Sequence, residues 1–255
     1  MSNKKLIVAN WKMNKGLVES QKFADEIRSY VEKNNINKCK LIICPPFTSI
    51  DAVHKKLDGS SISVGAQNVF YETNGAYTGE ISCSMLKSCG CEYVIVGHSE
   101  RRQYFNETDE LVNKKVLKVL DEGGLRPIVC VGETLAEHQD HITEAVIEEQ
   151  LNICLNHVSK DRIQKIVIAY EPVWAIGTGK NATPHQAESV HNFIRKRIKK
   201  LFSDEDSQQI KVIYGGSITP DNSKGLFALQ TINGGLVGGA SLNEKKFIEI
   251  INSVN

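Results

Sequence analysis

The stretch Ile166-Val167-Ile168-Ala169-Tyr170-Glu171-Pro172-Val173-Trp174 sets an unbroken apolar, β-branched run directly against a carboxylate and a proline. A run without polar alternation is the pattern of a strand covered on both faces, as in a parallel sheet flanked by helices. Downstream, Thr183 stands where a helix cap belongs, and Gln186–Leu201 carries apolar residues at helical spacing. One strand and one helix therefore follow each other across this segment.

The same unit recurs in both directions. Candidate strands are Leu6–Ala9, Leu41–Ile43, Ile62–Gly65, Tyr93–Val96, Pro127–Val131, Val212–Tyr214 and Leu236–Val237. Helical patterns fall at Val18–Lys33, Ile50–Leu57, Leu111–Glu122, Glu144–Leu155 and Glu244–Ile251, with Asp109 or Thr108, Thr143 and Asn243 as further caps. About eight alternations in one chain predict an α/β fold, a single (β/α)8 barrel spanning residues 1–255. An open doubly wound sheet is the rival, and it fits less well because no linker marks a second domain.

Charge excludes several functions. With 31 Lys and Arg against 30 Asp and Glu, the chain has no broad field to attract nucleic acid or an acidic membrane. The run Arg195-Lys196-Arg197-Ile198-Lys199-Lys200 reads as the wet face of an amphipathic helix, since Phe193, Ile194, Ile198 and Leu201 share helical spacing. The seven cysteines form no C-x-x-C pair and no zinc spacing, so buried thiols in a reducing compartment are expected. Leu6–Ala9 is too short for a signal-peptide core, and no apolar run approaches the ~18 residues of a membrane span. The expected location is the cytoplasm, and no metal site is expected.

Polar and glycine-rich residues cluster just after the candidate strands: Asn10 and Lys12, His98, Glu171, Gly215-Gly216-Ser217 and Gly238-Gly239. In a parallel barrel these positions converge on one rim, where such folds carry their chemistry. The glycine pairs after the last two strands can bring backbone N–H groups close to a phosphate. Gly177-Thr178-Gly179-Lys180-Asn181-Ala182 looks like a dinucleotide motif but lies six residues beyond its strand, and it fails as a P-loop because Trp174 and Asn181 break the pattern. A carboxylate, an imidazole, a lysine and a phosphate cradle on one rim are what a proton-transfer enzyme for phosphosugars requires.

The segment Ala169-Tyr170-Glu171-Pro172-Val173-Trp174-Ala175-Ile176-Gly177-Thr178-Gly179-Lys180 resembles the signature of the triosephosphate isomerase family. The resemblance extends in order through Ala9–Asn14, Gly65–Asn68, Thr73–Ser82, Gly97–Arg102, Cys130–Thr134, Tyr214–Ser217 and Gly238–Leu242, nearly end to end. It implies interconversion of dihydroxyacetone phosphate and glyceraldehyde 3-phosphate, in glycolysis and gluconeogenesis, without a cofactor. Glu171 would be the base and His98 the neutral imidazole that polarises the carbonyl, its pKa lowered by a helix starting at Ser99. Lys12 and Asn10 would complement the negative charge. Glu100 would either relay protons or position Lys12.

By the same resemblance, Gly177, Ser217, Gly238 and Gly239 would hold the phosphate. Pro172 to Ala182 would form a lid, with Ile176 and Leu236 closing over Glu171 and raising its basicity. A homodimer is implied, with Thr78, Gly79 and Glu80 inserted into the neighbouring subunit and Met13 and Arg101 at the same interface. The chain departs from the family pattern at Asn181, at Cys83, and in Thr231-Ile232-Asn233-Gly234-Gly235, which lacks acidic residues and leaves Arg195 without its usual carboxylate. Two rivals remain. One is another phosphate-binding barrel isomerase, which has no reason to carry the Glu171 lid sequence. The other is a non-catalytic adhesin or thiol-responsive barrel, which has no reason to keep Asn10, Lys12, His98 and Glu171 together.

Overall fold

The computed structural model describes residues 4–176 and 182–254. Eight parallel strands close on themselves in sequence order: β1 Lys5–Asn10, β2 Cys39–Cys44, β3 Ser63–Ala66, β4 Cys91–Val96, β5 Arg126–Val131, β6 Val167–Tyr170, β7 Lys211–Tyr214 and β8 Gly234–Val237. The barrel shuts where β8 pairs with β1, Leu6 opposite Gly234 and Ala9 opposite Val237. The expected (β/α)8 barrel is the fold observed.

Strand alternation splits the core into two layers. Leu6, Val8, Ile42, Ile95, Ile128 and Ile213 fill the barrel interior. Ile7, Ala9, Ile43, Val94, Val129 and Ile168 face outward against the helices. Both sides of each strand are therefore apolar, which is why the strands read as continuous runs.

The long helices lie where the spacing put them: α1 Leu17–Lys33, α2 Ile50–Leu57, α5 Asp109–Glu122, α7 Thr143–Cys154, α8 Pro184–Leu201 and α11 Glu244–Asn252. Phe23, Ile27 and Val31 bury one face of α1, with Phe23 edge-on to Trp11 at 5.0 Å. Thr183 caps α8 through a capping box with Gln186, and Asn243 caps α11 by accepting from the Lys246 N–H. Thr108, rather than Asp109, caps α5. Thr143 caps nothing, because it already lies inside α7, whose cap position is Ile142. The basic run lies on α8, which buries Ile194 and Ile198.

Five further helices show no clear apolar period in the sequence: α3 Cys83–Ser88, α4 Ser99–Phe105, α6 Leu135–Gln139, α9 Asp204–Gln209 and α10 Pro220–Ala228. β8 begins two residues ahead of its expected start because glycine is a weak strand signal. Gly234 is required there: at φ +147° its Cα lies so close to β1 that a Cβ would fall 1.9 Å from the Leu6 carbonyl oxygen. The room left by Gly235 is occupied by Ile218 and Phe227, not by solvent. Arg195 replaces the missing carboxylate with the Asn233 side-chain oxygen, at 2.5 Å, and with the backbone carbonyl of Ser207. All seven cysteines are free thiols, and Cys89 is the one that is not fully buried.

Candidate active site

The C-terminal ends of the strands surround a cavity of about 830 Å³. Asn10 is the last residue of β1, nearly buried, and its Oδ1 accepts from the Lys12 N–H at 3.0 Å. Lys12 is held in the left-handed region at φ +52°, an unfavourable conformation for a lysine that its neighbours must stabilise. Gln67 does so from the loop after β3: its Nε2 donates to the Lys12 carbonyl at 2.8 Å and to the Cys44 carbonyl at 3.0 Å. Lys12 Nζ then reaches Glu100 Oε1 at 2.5 Å.

His98 caps α4. Its Nδ1 accepts from the Glu100 N–H at 3.2 Å, so the proton of the neutral ring sits on Nε2. That Nε2 lies 2.9 Å from Glu171 Oε1, and Glu171 Oε2 accepts from the Ser99 N–H at 2.9 Å. Both side chains are buried. Burial disfavours charge on each of them, but the mutual attraction outweighs it. The His98 pKa is raised, mainly by the Glu171 carboxylate working against burial, and the Glu171 pKa is lowered, mainly by His98 working against burial. This differs from the expected low histidine pKa and enhanced glutamate basicity, because here the carboxylate lies against the imidazole, 2.9 Å from its Nε2.

Glu171 directly follows β6, between the glycines that directly follow the neighbouring strands β5 and β7. A Cβ on Gly132 would fall 1.8 Å from the Glu171 carbonyl oxygen, and one on Gly215 would sit 2.9 Å from Glu171 Cγ. Opposite the carboxylate, Ser217, Leu236, Gly238 and Gly239 line the cavity with Ile176. Gly238 precedes a short 3₁₀ turn, Gly239–Leu242, and a side chain at Gly239 would meet nothing within 4 Å. Gly215, Gly216, Gly238 and Gly239 all line the cavity, and glycine turns of this kind suit an anion. Gly177 lies outside the described residues, as do Thr178, Gly179, Lys180 and Asn181.

The segment after Glu171 is anchored on Glu133, a buried carboxylate that follows β5. Glu133 Oε1 accepts from Trp174 Nε1 at 2.7 Å and from the Tyr170 hydroxyl at 3.2 Å, and its carbonyl accepts from the Val173 N–H. His138 stacks on Trp174, with ring centroids 4.3 Å apart.

Several supporting residues carried no individual sequence signal. Glu107 accepts from the Gly97 N–H at 3.0 Å, from Arg101 Nε at 2.5 Å and from Lys115 Nζ at 2.8 Å. Lys115 also donates to Asn68, at 2.8 Å. The two cations hold the Glu107 carboxyl below its usual range, Lys115 first, against the effect of burial. Glu107 and Arg102, whose Nε donates to the Gly97 carbonyl, pin the turn that delivers His98. A glutamate in a polar loop reads as solvated, and only its burial reveals the role.

Asn10, Lys12, His98, Glu100, Glu171, Ile176, Ser217, Leu236, Gly238 and Gly239 therefore share one cavity. Met13, Thr78, Gly79, Glu80 and Arg101 do not line it. Met13 is 95% exposed, Thr78 to Glu80 are exposed, and Arg101 turns towards Glu107.

Comparison with known proteins gives the same picture over the whole chain. The triosephosphate isomerase family model matches residues 5–254. A triosephosphate isomerase of Chloroherpeton thalassium is 50% identical over 250 residues, covering 98% of both chains. One from Clostridium botulinum (strain Okra / Type B1) is 48% identical over 247 residues, 97% of this chain and 98% of that one. One from Alkaliphilus metalliredigens is 47% identical over 249 residues, 98% and 99% of the two. With a full-length family match and relatives near half identity, carried on this barrel and this rim, the chain belongs to the triosephosphate isomerase family.

Proposed function

We propose that the protein, residues 1–255 acting as one barrel domain, interconverts dihydroxyacetone phosphate and glyceraldehyde 3-phosphate by proton transfer through an enediolate, without a cofactor. The observation that carries this reading is the orientation of His98. Its Nδ1 is committed to the Glu100 N–H, so the ring proton sits on Nε2, on the cavity side and 2.9 Å from Glu171 Oε1. A neutral imidazole donor beside a carboxylate base fits a substrate with a carbonyl next to an acidic carbon.

Glu171 leaves the Ser99 N–H and His98, swings towards the substrate, removes the proton from one carbon and returns it to its neighbour. Once it moves, the main influence raising the His98 pKa is gone, while burial and Lys12 both favour the neutral ring. His98 then polarises the carbonyl and moves protons between the two substrate oxygens. Lys12 and Asn10 complement the growing negative charge. The 2.5 Å contact from Lys12 to Glu100 favours a positioning role for Glu100 over a relay. Backbone donors of Ser217, Gly238, Gly239 and Gly177 hold the phosphate, and Ile176 and Leu236 exclude water from an intermediate that would otherwise lose phosphate.

The working form is a homodimer in the cytoplasm. Exposed Met13, Tyr77, Met85, Tyr104 and Phe105 supply apolar surface for a partner, and Tyr77 and Met85 lie beside Glu80. Seven free thiols suit a reducing compartment. A thiol-responsive scaffold is disfavoured because six of those thiols are buried.

The test is a coupled assay on the purified protein in each direction, with its molar mass measured by light scattering. Isomerisation by a dimer is the expected outcome; a folded dimer without isomerase activity refutes the assignment.

A further inference from the structure

The chemistry described above occupies one end of the barrel. At the other end, where the strands begin, a second cavity of about 560 Å³ opens between the start of β1, the approach to β2, α10 and the residues after α11. It is lined by Lys4, Lys5, Lys38 and Lys224 together with Phe227 and Val254. Among the described residues no aspartate or glutamate lines it. Lys211, at the start of β7, adds a fifth ammonium beside it, with Nζ 3.4 Å from the Lys4 carbonyl.

The whole chain carries a formal net charge of only +1, and several lysines elsewhere pair, Lys55 with Asp51, Lys56 with Asp25 and Lys199 with Asp204, so four lysines around one cavity with no carboxylate in its lining make a local excess of positive charge. Lys4, Lys38 and Lys224 are exposed and make no ion pair among the described residues. Lys5 is half-buried, its ammonium spent on the Leu229 and Ile232 carbonyls at 2.9 and 2.5 Å. Burial first, and then the charge of Lys211, lowers its pKa.

Helix C-termini gather at this end, and their carbonyls account for one cation, Lys5. Among the described residues no carboxylate pairs with Lys4, Lys38 or Lys224. A multivalent anion in this cavity would meet several ammonium groups at once. A lysine cluster without a guanidinium fork suits phosphoryl groups bound as point charges. Several ammonium groups around one cavity suit a short chain of phosphoryl groups better than a single phosphate.

We propose that the strand-start end of the barrel binds a compact polyphosphate, with Lys4, Lys38 and Lys224 as its phosphoryl contacts. Two sources share this chemistry: an inorganic tripolyphosphate, and a nucleoside triphosphate whose base would lie on Phe227 and Val254. The site is separate from the catalytic rim, so its occupancy and triose phosphate turnover are independent observables.

Titration calorimetry of the full chain with tripolyphosphate, and separately with ATP, at low ionic strength tests this. The expected result is binding that persists with the catalytic cavity saturated by triose phosphate and weakens about tenfold or more as salt rises towards physiological strength and beyond. The exposed-site variant Lys4→Glu/Lys38→Glu/Lys224→Glu should lose at least about tenfold in affinity, while the matching triple arginine variant stays within about threefold of wild type. Both variants should keep kcat/KM for isomerisation, which also shows that they fold. Tighter binding of ATP than of tripolyphosphate supports the nucleoside source, and equal binding supports recognition of the phosphoryl chain alone. Absence of binding, full displacement by triose phosphate, or unchanged affinity in the glutamate variant would overturn the proposal.

Discussion

Glu171 and His98 meet at 2.9 Å, Oε1 to Nε2, while the other Glu171 oxygen is held by the Ser99 N–H. The proposed base is thus held ionised against the His98 imidazole at the wall of the cavity. Catalysis requires it to leave a position in which one oxygen is hydrogen-bonded and the other lies against an imidazole, so any group that shifts that carboxylate should act on turnover more than on binding.

Gly215 is such a group. A methyl there would sit 2.9 Å from Glu171 Cγ and 3.2 Å from the Tyr170 carbonyl oxygen, so backbone or base must move. Gly215→Ala is expected to lower kcat by about 10- to 100-fold, since sub-ångström errors in the placement of a base carry that cost. KM should change less than about threefold. Steady-state kinetics on the folded variant check this.

Glu100 separates two roles. A residue that positions Lys12 by hydrogen bonding keeps most of its function as glutamine, whereas a proton relay does not. Glu100→Gln is expected to lower kcat by less than about tenfold, and Glu100→Ala by substantially more. Equal, large losses in both variants would assign Glu100 to proton transfer.

His191 makes stability depend on pH. It is fully buried on α8, and its Nδ1 lies 3.3 Å from the Thr231 carbonyl. Burial lowers its pKa to about 3. The unfolded chain takes up this proton near its ordinary pKa of about 6.5, and the folded chain does not. Below about pH 6.5 the unfolded state therefore binds more protons, and His191 costs up to about 1.4 kcal/mol per pH unit until the folded form titrates near pH 3. Unfolding free energy measured against pH should fall less steeply below pH 6.5 in His191→Phe than in wild type.

The parts of this protein that were legible in its sequence are those where one physical requirement acts on neighbouring residues. β5 and β6 are apolar on both faces, so Pro127–Val131 and Ile166–Tyr170 announce themselves. The candidate groups Asn10, Lys12, His98 and Glu171 are legible because each stands at or within two residues of a strand end. β8 is obscured because Gly234 and Gly235 are chosen for contacts with Leu6, Ile218 and Phe227, which are distant or on other elements. Glu107 and Gln67 are hidden for the same reason: each looks like a solvated loop residue until the fold brings Lys115 or the Lys12 carbonyl to it. The storage of Glu171 against His98 is likewise a product of the fold, since 72 residues separate the carboxylate from the Ser99 N–H that holds it.

The most direct measurement is the coupled triose phosphate assay on Glu171→Asp, which keeps the charge and shortens the reach of the base by one methylene. The expected result is a folded dimer whose kcat falls by about 100-fold or more while KM stays within about threefold. A folded variant that retains kcat within about tenfold of wild type would contradict the assignment of Glu171 as the base.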